Sequence, residues 1–412
     1  MTGRQVSLDA KPGAARSAGL RWVTAALVGS LLTGACTSGP GVDPPGAAGS
    51  ASGVPSASAL SPGPGSTPGP SAQLLPEAST PAERQIDQEV AGALEARFAT
   101  PGYRQLRSVV VLADGRTVLE RYYQSGPSDY HHVWSVTKSV MSTLVGIAIA
   151  QGKLLGVKQT LEELLPAYAG TMPSAVAGTT LEQVLTMTGG FGDDPGQRPT
   201  PVADWVAEIL REPYSRPGEG FHYSNGGSHL LSAILVQATG MSTLDYAREV
   251  LFDPLGIPST PAYEPVATGE DWKSFDESFE TADFAWAVDP QGVHIAPWGL
   301  RLRALDLAKI GLLYLNEGRW QDRQVVPEDW IREATTAQVE TGGGYTPMYG
   351  YQWWVTTADG VPAHAALGSG GQVIAVVPSR GLVVVFQFDG AGGGLGRMLP
   401  IVDTLIAPAY QP

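Results

Sequence analysis

The segment Ser135-Val136-Thr137-Lys138 places a hydroxyl and an amine three residues apart at the head of a long apolar run. In a helix that spacing sets both side chains on one face. A serine hydroxyl is a poor nucleophile until a neighbouring base takes its proton, and a lysine serves as that base only where burial lowers its pKa. Residues 134–150 are apolar around nearly the whole helical circumference, which predicts a buried helix and so supplies that burial. Ser135, near its N-terminus, also gains from unpaired backbone N–H groups that favour developing negative charge. The competing reading is a serine cap with its lysine on a solvated face, and so apolar a helix argues against it.

Two further segments carry groups of the right type. Pro217-Gly218-Glu219-Gly220-Phe221-His222-Tyr223-Ser224-Asn225 is a glycine-punctuated loop running into a helix expected over 228–239. Ser224 or Asn225 suits the cap of that helix, whereas the Tyr223 phenol is a group able to shuttle a proton between Ser135 and a leaving group. Ala366-Leu367-Gly368-Ser369-Gly370-Gly371-Gln372 leads into a strand expected over 373–377. Its glycines would let a substrate lie against the strand edge, and the Ser369 N–H would complete an oxyanion hole with that of Ser135. From these residues alone a glycine-rich bulge reads equally well.

Other chemistries find less support. The six histidines, at 131, 132, 222, 229, 294 and 364, show no metal-ligand spacing, so no metal site is expected. No G-x-S-x-G elbow surrounds a serine, and the glycines of 390–396 lack the spacing and the following lysine of a phosphate loop. A formal charge of −14, with no basic run in the globular part, argues against a nucleic-acid partner.

The elements that must position these groups are legible in outline. Residues 85–98 carry Ile86, Val90, Leu94 and Phe98 in a helical stripe, and strands over 109–112 and 117–123 flank a tight Asp114-Gly115 turn. Near the C-terminus, strands are expected over 351–357, 372–377 and 382–388, with turns at Asp359-Gly360 and near Gly381, and a last helix over 395–406. Between the two strand groups the pattern is mainly helical, as over 304–315. The globular domain is therefore expected over 84–412, its sheet drawn from 84–133 and 345–412 and its helical part from 134–344.

The N-terminal region reads as an export signal and a tether. Arg4, Lys11, Arg16 and Arg21 precede an apolar run over 22–35 that is too short to span a bilayer and suits a signal-peptide core. It ends in Thr33-Gly34-Ala35-Cys36, which resembles the bacterial lipobox, with Thr33 where leucine is usual. Cys36 is the only cysteine, so no intramolecular disulfide can form. Residues 36–83, rich in Pro, Gly and Ser, cannot bury enough apolar surface to fold and read as a linker. The expectation is signal peptide 1–35, lipidation at Cys36, and anchorage to the outer face of the cytoplasmic membrane.

Taken together, Ser135-x-x-Lys138, Tyr223-Ser224-Asn225 and Gly368-x-Gly370-Gly371-Gln372 resemble the class C β-lactamase family and its relatives over about residues 85–408. Leu185-Thr186-Met187-Thr188-Gly189-Gly190, Gly299-Leu300-Arg301-Leu302-Arg303 and Tyr349-Gly350-Tyr351-Gln352-Trp353-Trp354 are most similar to the branch of 6-aminohexanoate-dimer hydrolases and family VIII esterases. The resemblance implies an α/β fold of the β-lactamase/transpeptidase type, with an antiparallel sheet from both chain ends, flanking helices and a helical insertion. It further implies that Ser135 is acylated, that Lys138 and Tyr223 are the coupled base and acid, that Asn225 orients substrate and Lys138, and that Ser135 and Ser369, with Gly368 and Gly370 beside it, form the oxyanion hole. No cofactor is implied, and the partner is a small-molecule or linear amide or ester substrate.

One departure bears on the substrate. Where the family carries Lys-Thr-Gly or His-x-Gly, this chain has Ala366-Leu367-Gly368, so the cation that would meet a substrate carboxylate is missing unless an arginine such as Arg301 or Arg303 substitutes. An amidase or esterase is therefore expected ahead of a β-lactamase or D-alanyl-D-alanine carboxypeptidase. A catalytically silent, envelope-binding lipoprotein is the alternative of another class.

Overall fold

The computed structural model describes residues 80–197, 201–211, 213–269, 271–389 and 394–411. The chain divides between Ser66 and Thr67, and all of these residues belong to the second unit. The expected signal peptide, Cys36 and the linker through residue 79 lie outside the described residues, as do 390–393 of the glycine cluster.

The strands, in chain order, are β1 (Leu106–Ala113), β2 (Arg116–Tyr122), β3 (His131–His132), β4 (Ala285–Trp286), β5 (Leu300–Leu302), β6 (Arg319–Trp320), β7 (Arg323–Gln324), β8 (Val339–Glu340), β9 (Met348–Tyr349), β10 (Trp354–Ala358), β11 (Val361–Gly368), β12 (Gln372–Val377) and β13 (Leu382–Phe388). Among the described residues, eight of them form one sheet in the order β2-β1-β13-β12-β11-β10-β9-β8, every neighbouring pair being antiparallel. The β1–β13 pairing, with Val110 opposite Val385, joins the two chain ends as the sequence suggests. The C-terminal contribution to the sheet starts at Val339, a few residues before the expected 345. β3, β5 and β4 form a small second sheet, and β6 and β7 a hairpin.

Helices cover both faces of the large sheet, and its strands are accordingly apolar at successive positions rather than at alternate ones. On one face, Val109, Val111, Val384 and Phe386 pack with Leu94 and Phe98 of α1 (Pro81–Phe98) and with Met398 of the Leu395–Ile401 helix. On the other, Val110, Leu112, Val383 and Val385 pack with α2 (Val136–Ala150) and the Ala304–Leu315 helix. Period-two alternation of side chains sends neighbouring valines to opposite cores.

Two expectations need correction. The α1 stripe is not Ile86, Val90, Leu94 and Phe98: Ile86 is 36% exposed, and Asp87 takes the inward place, receiving a hydrogen bond from Tyr410 Oη at 2.9 Å. A strict four-residue rhythm drifts by about 40° per step on a helix of 3.6 residues per turn, so the first member leaves the face. The second correction concerns β11, which was not expected as a strand. The Asp359-Gly360 turn joins β10 to β11, and Ala366-Leu367-Gly368 lies inside that strand rather than in a loop before the next one. Its Pro, His and Ala residues carry little strand propensity of their own; ladder pairing to β10 and β12 makes it a strand.

Gln352 ties the layers together beneath the site. Its side-chain Nε2 donates to Leu185 O (2.9 Å), its Oε1 accepts from Ser228 Oγ (2.8 Å), and its backbone O accepts from Ser139 Oγ (2.7 Å). One glutamine thereby fixes α2 against both the Leu181–Leu185 helix and the Asn225–Thr239 helix.

Candidate active site

The chain reaches Ser135 through a constrained corner. β3 pairs with β5, Val133 N donates to Leu300 O at 3.0 Å, and Trp134 then adopts φ +49°. A left-handed conformation is uncommon for a bulky residue and persists only where the surroundings over-determine it. Here the Trp134 ring stacks on His132 with centroids 3.9 Å apart, while its carbonyl accepts from Thr137 Oγ1 at 2.7 Å. The corner sets Ser135 at the N-terminus of α2, whose residues from Val136 through Ala148 are all buried.

Lys138, 1% exposed, lies one turn on. Its Nζ donates to Ser135 Oγ (3.1 Å), Asn225 Oδ1 (2.7 Å) and Pro297 O (2.8 Å). Burial lowers its pKa to about 7, against the opposing pull of the Asp194 and Asp193 carboxylates. An amine has three N–H groups when charged and two plus a lone pair when neutral. With Asn225 Oδ1 and Pro297 O occupying two N–H groups, the lone pair of the neutral form is aimed at Ser135 Oγ.

Ser224 and Asn225 divide the two roles open to them. Ser224 caps the Asn225–Thr239 helix, its Oγ accepting from Gly227 N at 2.7 Å, and this leaves the first helical residue, Asn225, free to face Lys138. The Tyr223 ring lies 4.8 Å from Lys138 Nζ and stacks on Trp354 at 5.6 Å between centroids. Burial raises the Tyr223 pKa strongly, and the contact with Ser135 offsets it only in part, so the group is a neutral phenol near pH 7.

The third segment meets the corner from the sheet. β10 pairs with β11 only as far as Ala365, so residues 366–368 have β12 on one side and, among the described residues, no strand on the other. Glycine is required at 368, because a Cβ there would lie 2.4 Å from Val133 O. That close approach brings the Ser369–Gly371 turn, with Gly370 at φ +82°, beside the head of α2. Ala366 is fully buried and supplies no cation.

Neither arginine substitutes for it. Arg301 is held by Glu280 Oε2 (2.8 Å), Ala282 O (3.0 Å) and Tyr130 O (2.5 Å), and Arg303 is paired with Asp306 at 2.8 Å. Among the described residues, no three His, Cys, Asp or Glu side chains converge as metal ligands would.

Sequence reasoning missed several members of the site. Pro297 acts through its carbonyl, which no side-chain pattern reveals. Asp194, fully buried behind Lys138, accepts from Trp298 Nε1 at 3.2 Å, and burial pushes its carboxyl above the usual range. The acidic Asp193-Asp194 pair before Pro195 was its only visible signal.

Comparison with known proteins adds a lineage to this geometry. A family model described as beta-lactamase matches residues 89–405. Among curated proteins, the chain is 27% identical over 271 residues to the 6-aminohexanoate-dimer hydrolase of Paenarthrobacter ureafaciens, covering 59% of this chain and 62% of that one. It is 25% identical over 331 residues to penicillin-binding protein 4 of Amycolatopsis lactamdurans, covering 74% and 82% respectively. The fold matches the solved structure of a penicillin-binding protein homologue from Caulobacter crescentus, with TM-score 0.59 at 18% identity over 81% of this chain and 99% of that one. The chain thus spans under two thirds of the length of the aminohexanoate relative.

Proposed function

The chain belongs to the beta-lactamase family, and from that premise we propose that it is a serine hydrolase cleaving amide or ester bonds through an acyl-enzyme on Ser135. The observation that carries this reading is the Lys138 ammonium site: a buried amine with pKa about 7, two of its N–H positions fixed by Asn225 and Pro297, and its third direction aimed at Ser135 Oγ. A structural lysine has no need of so dry a cage, and an inert one would be expected to have a carboxylate in contact.

In the forward reaction neutral Lys138 takes the Ser135 hydroxyl proton as Oγ attacks the substrate carbonyl. The oxyanion is met by the N–H groups of Ser135 and Ser369, in a cradle shaped by Gly368 and Gly370. Tyr223, kept a phenol by burial, gives its proton to the departing amine or alkoxide and is recharged from Lys138. Water then attacks the ester carbonyl, and the same groups run in reverse to release Ser135. The relative that cleaves an aminohexanoate dimer makes a linear amide a reasonable substrate class, and buried Ala366 disfavours substrates recognised through a carboxylate.

The test is covalent labelling of the full chain with a fluorophosphonate. Wild type is expected to be labelled at Ser135 and the Ser135→Ala protein not at all; equal labelling of both would assign the nucleophile elsewhere. For location, the signal over 1–35 and Cys36 support an exported lipoprotein held at the outer face of the cytoplasmic membrane. Cys36→Ala is expected to shift the protein from the membrane to the soluble fraction or to block processing. Unchanged membrane partitioning at the same mass would refute the anchor.

A further inference from the structure

Two consecutive carbonyls on the turn before β5 take hydrogen bonds from two different parts of the site. Pro297 O accepts from Lys138 Nζ at 2.8 Å, and Trp298 O accepts from His132 Nε2 at 2.7 Å. The same imidazole stacks on Trp134, with ring centroids 3.9 Å and planes 21° apart. Trp134 is the left-handed residue immediately before Ser135. One ring therefore touches both the corner that sets the nucleophile and the backbone that holds the base. The catalytic steps derived above give it no part.

The ring is itself held. Glu280 Oε1 faces its Nδ1 at 3.2 Å, and Phe279 meets it edge-on at 4.8 Å between centroids. Glu280 is anchored in turn by Arg301 Nη1 at 2.8 Å, so the arginine that offers no cation to substrate fixes the partner of His132 instead. His132 and Trp134 line a cleft of about 770 Å³ that opens beside the Ser369–Gly370 turn. His132 is nevertheless only 7% exposed, and both its ring nitrogens are turned to protein acceptors. It belongs with the groups that place Ser135 and Lys138, not with those that would meet substrate. A left-handed conformation at a bulky residue persists only where its surroundings hold it, and the stack on His132 supplies such a hold.

We propose that His132 is a positioning residue for acyl-enzyme formation. Its stack on Trp134 and its hydrogen bond to Trp298 O hold the nucleophile corner in register with the carbonyl that directs Lys138, so its loss slows attack by Ser135 without weakening substrate binding. The proposal rests on the serine-hydrolase reading and adds a residue to it. The full-length His132→Phe protein keeps an aromatic ring beside Trp134 and loses both nitrogens, whereas His132→Gly loses the ring altogether. With folding checked by circular dichroism and thermal melting, His132→Phe is expected to lower kcat for p-nitrophenyl butyrate at least about tenfold and to leave KM within about threefold.

Added imidazole is expected to raise kcat of His132→Gly at least about fivefold, and oxazole, a ring of the same shape without an N–H donor, less than about twofold. Equal recovery with oxazole would mean that the ring only fills space and would overturn the proposal. So would a His132→Phe protein with the kcat of wild type, or one altered only in KM; that variant decides the matter if His132→Gly does not fold. The rate of fluorophosphonate labelling at Ser135 is expected to fall in parallel with kcat, with an unchanged endpoint. An unlabelled wild type would instead sink the hydrolase reading itself, so the two failures are distinguishable.

Discussion

On the α2 side of Ser135 the polar atoms are few and dry: Lys138 makes three hydrogen bonds, to Ser135, Asn225 and Pro297, and behind it Asp194 Oδ1 is buried without a hydrogen-bond partner among the described residues. On the cleft side they are numerous and charged: Arg107 and Arg301 are paired with Asp389 and Glu280, and Asp129 and Asp283 have no ion-pair partner among the described residues. The difference follows from what each side has to do. Proton transfer requires a base whose pKa and direction are set before substrate arrives, which burial and rigid partners achieve. Recognition requires groups left accessible at the surface, and Asp129 and Asp283 are exposed residues outside the strands and helices.

Substitutions on the dry side are therefore expected to act on kcat, and those on the cleft side on KM. The largest effect after loss of Ser135 itself is expected for Lys138→Ala, with kcat/KM for p-nitrophenyl butyrate falling by about a thousandfold. A loss below tenfold would remove Lys138 as the base and break the comparison at its centre. Tyr223→Phe is expected to lower kcat by about a hundredfold while moving KM less than threefold, as loss of a group that acts mainly in the transition state does. A change confined to KM would place the phenol among the binding groups instead.

Recognition sharpens the contrast from the other side. With Ala366 apolar and Arg301 and Arg303 already paired, kcat/KM for p-nitrophenyl butyrate is expected to exceed that for a chromogenic cephalosporin by about a hundredfold or more. Efficient cephalosporin hydrolysis would show that a cation reaches the cleft from a group not identified above.

The pH profile carries the smallest and most specific effect. Lys138 must be neutral to accept a proton, so kcat/KM is expected to fall about tenfold per pH unit below a midpoint near 7 and to level off above it. The Asp194 carboxylate favours the charged amine. Asp194→Asn should therefore move that limb to lower pH by a fraction of a unit, and a limb that stays fixed or moves upward would remove Asp194 as the tuning group.

Much of the framework was legible in the residues. The Asp114-Gly115 and Asp359-Gly360 turns carry the positive φ angles their types suggested, and the apolar runs that became β1, β12 and β13 are long enough to be read directly. β11 was not legible, because Val361-Pro362-Ala363-His364-Ala365-Ala366 has no alternating pattern and owes its extension to partners on both sides. Ser224 and Asn225 could not be assigned separately either: both types cap helices, and only the packing of the Asn225–Thr239 helix against α2 shows which one turns toward Lys138.

By itself the sequence determined the spacing of Ser135 and Lys138 on one helical face and the apolarity of the helix that buries them, since both follow from local periodicity. The tertiary structure decided what that lysine is. Its partners come from 87 and 159 residues further along the chain, and its pKa near 7 is set by desolvation that exists only when the core on the α2 face of the sheet closes. The same holds for the cleft: Asp129, Asp283 and Gln372 are scattered in sequence, and only the folded chain gathers them into one wall. Charge and burial are properties of an environment, and an environment is assembled from remote segments.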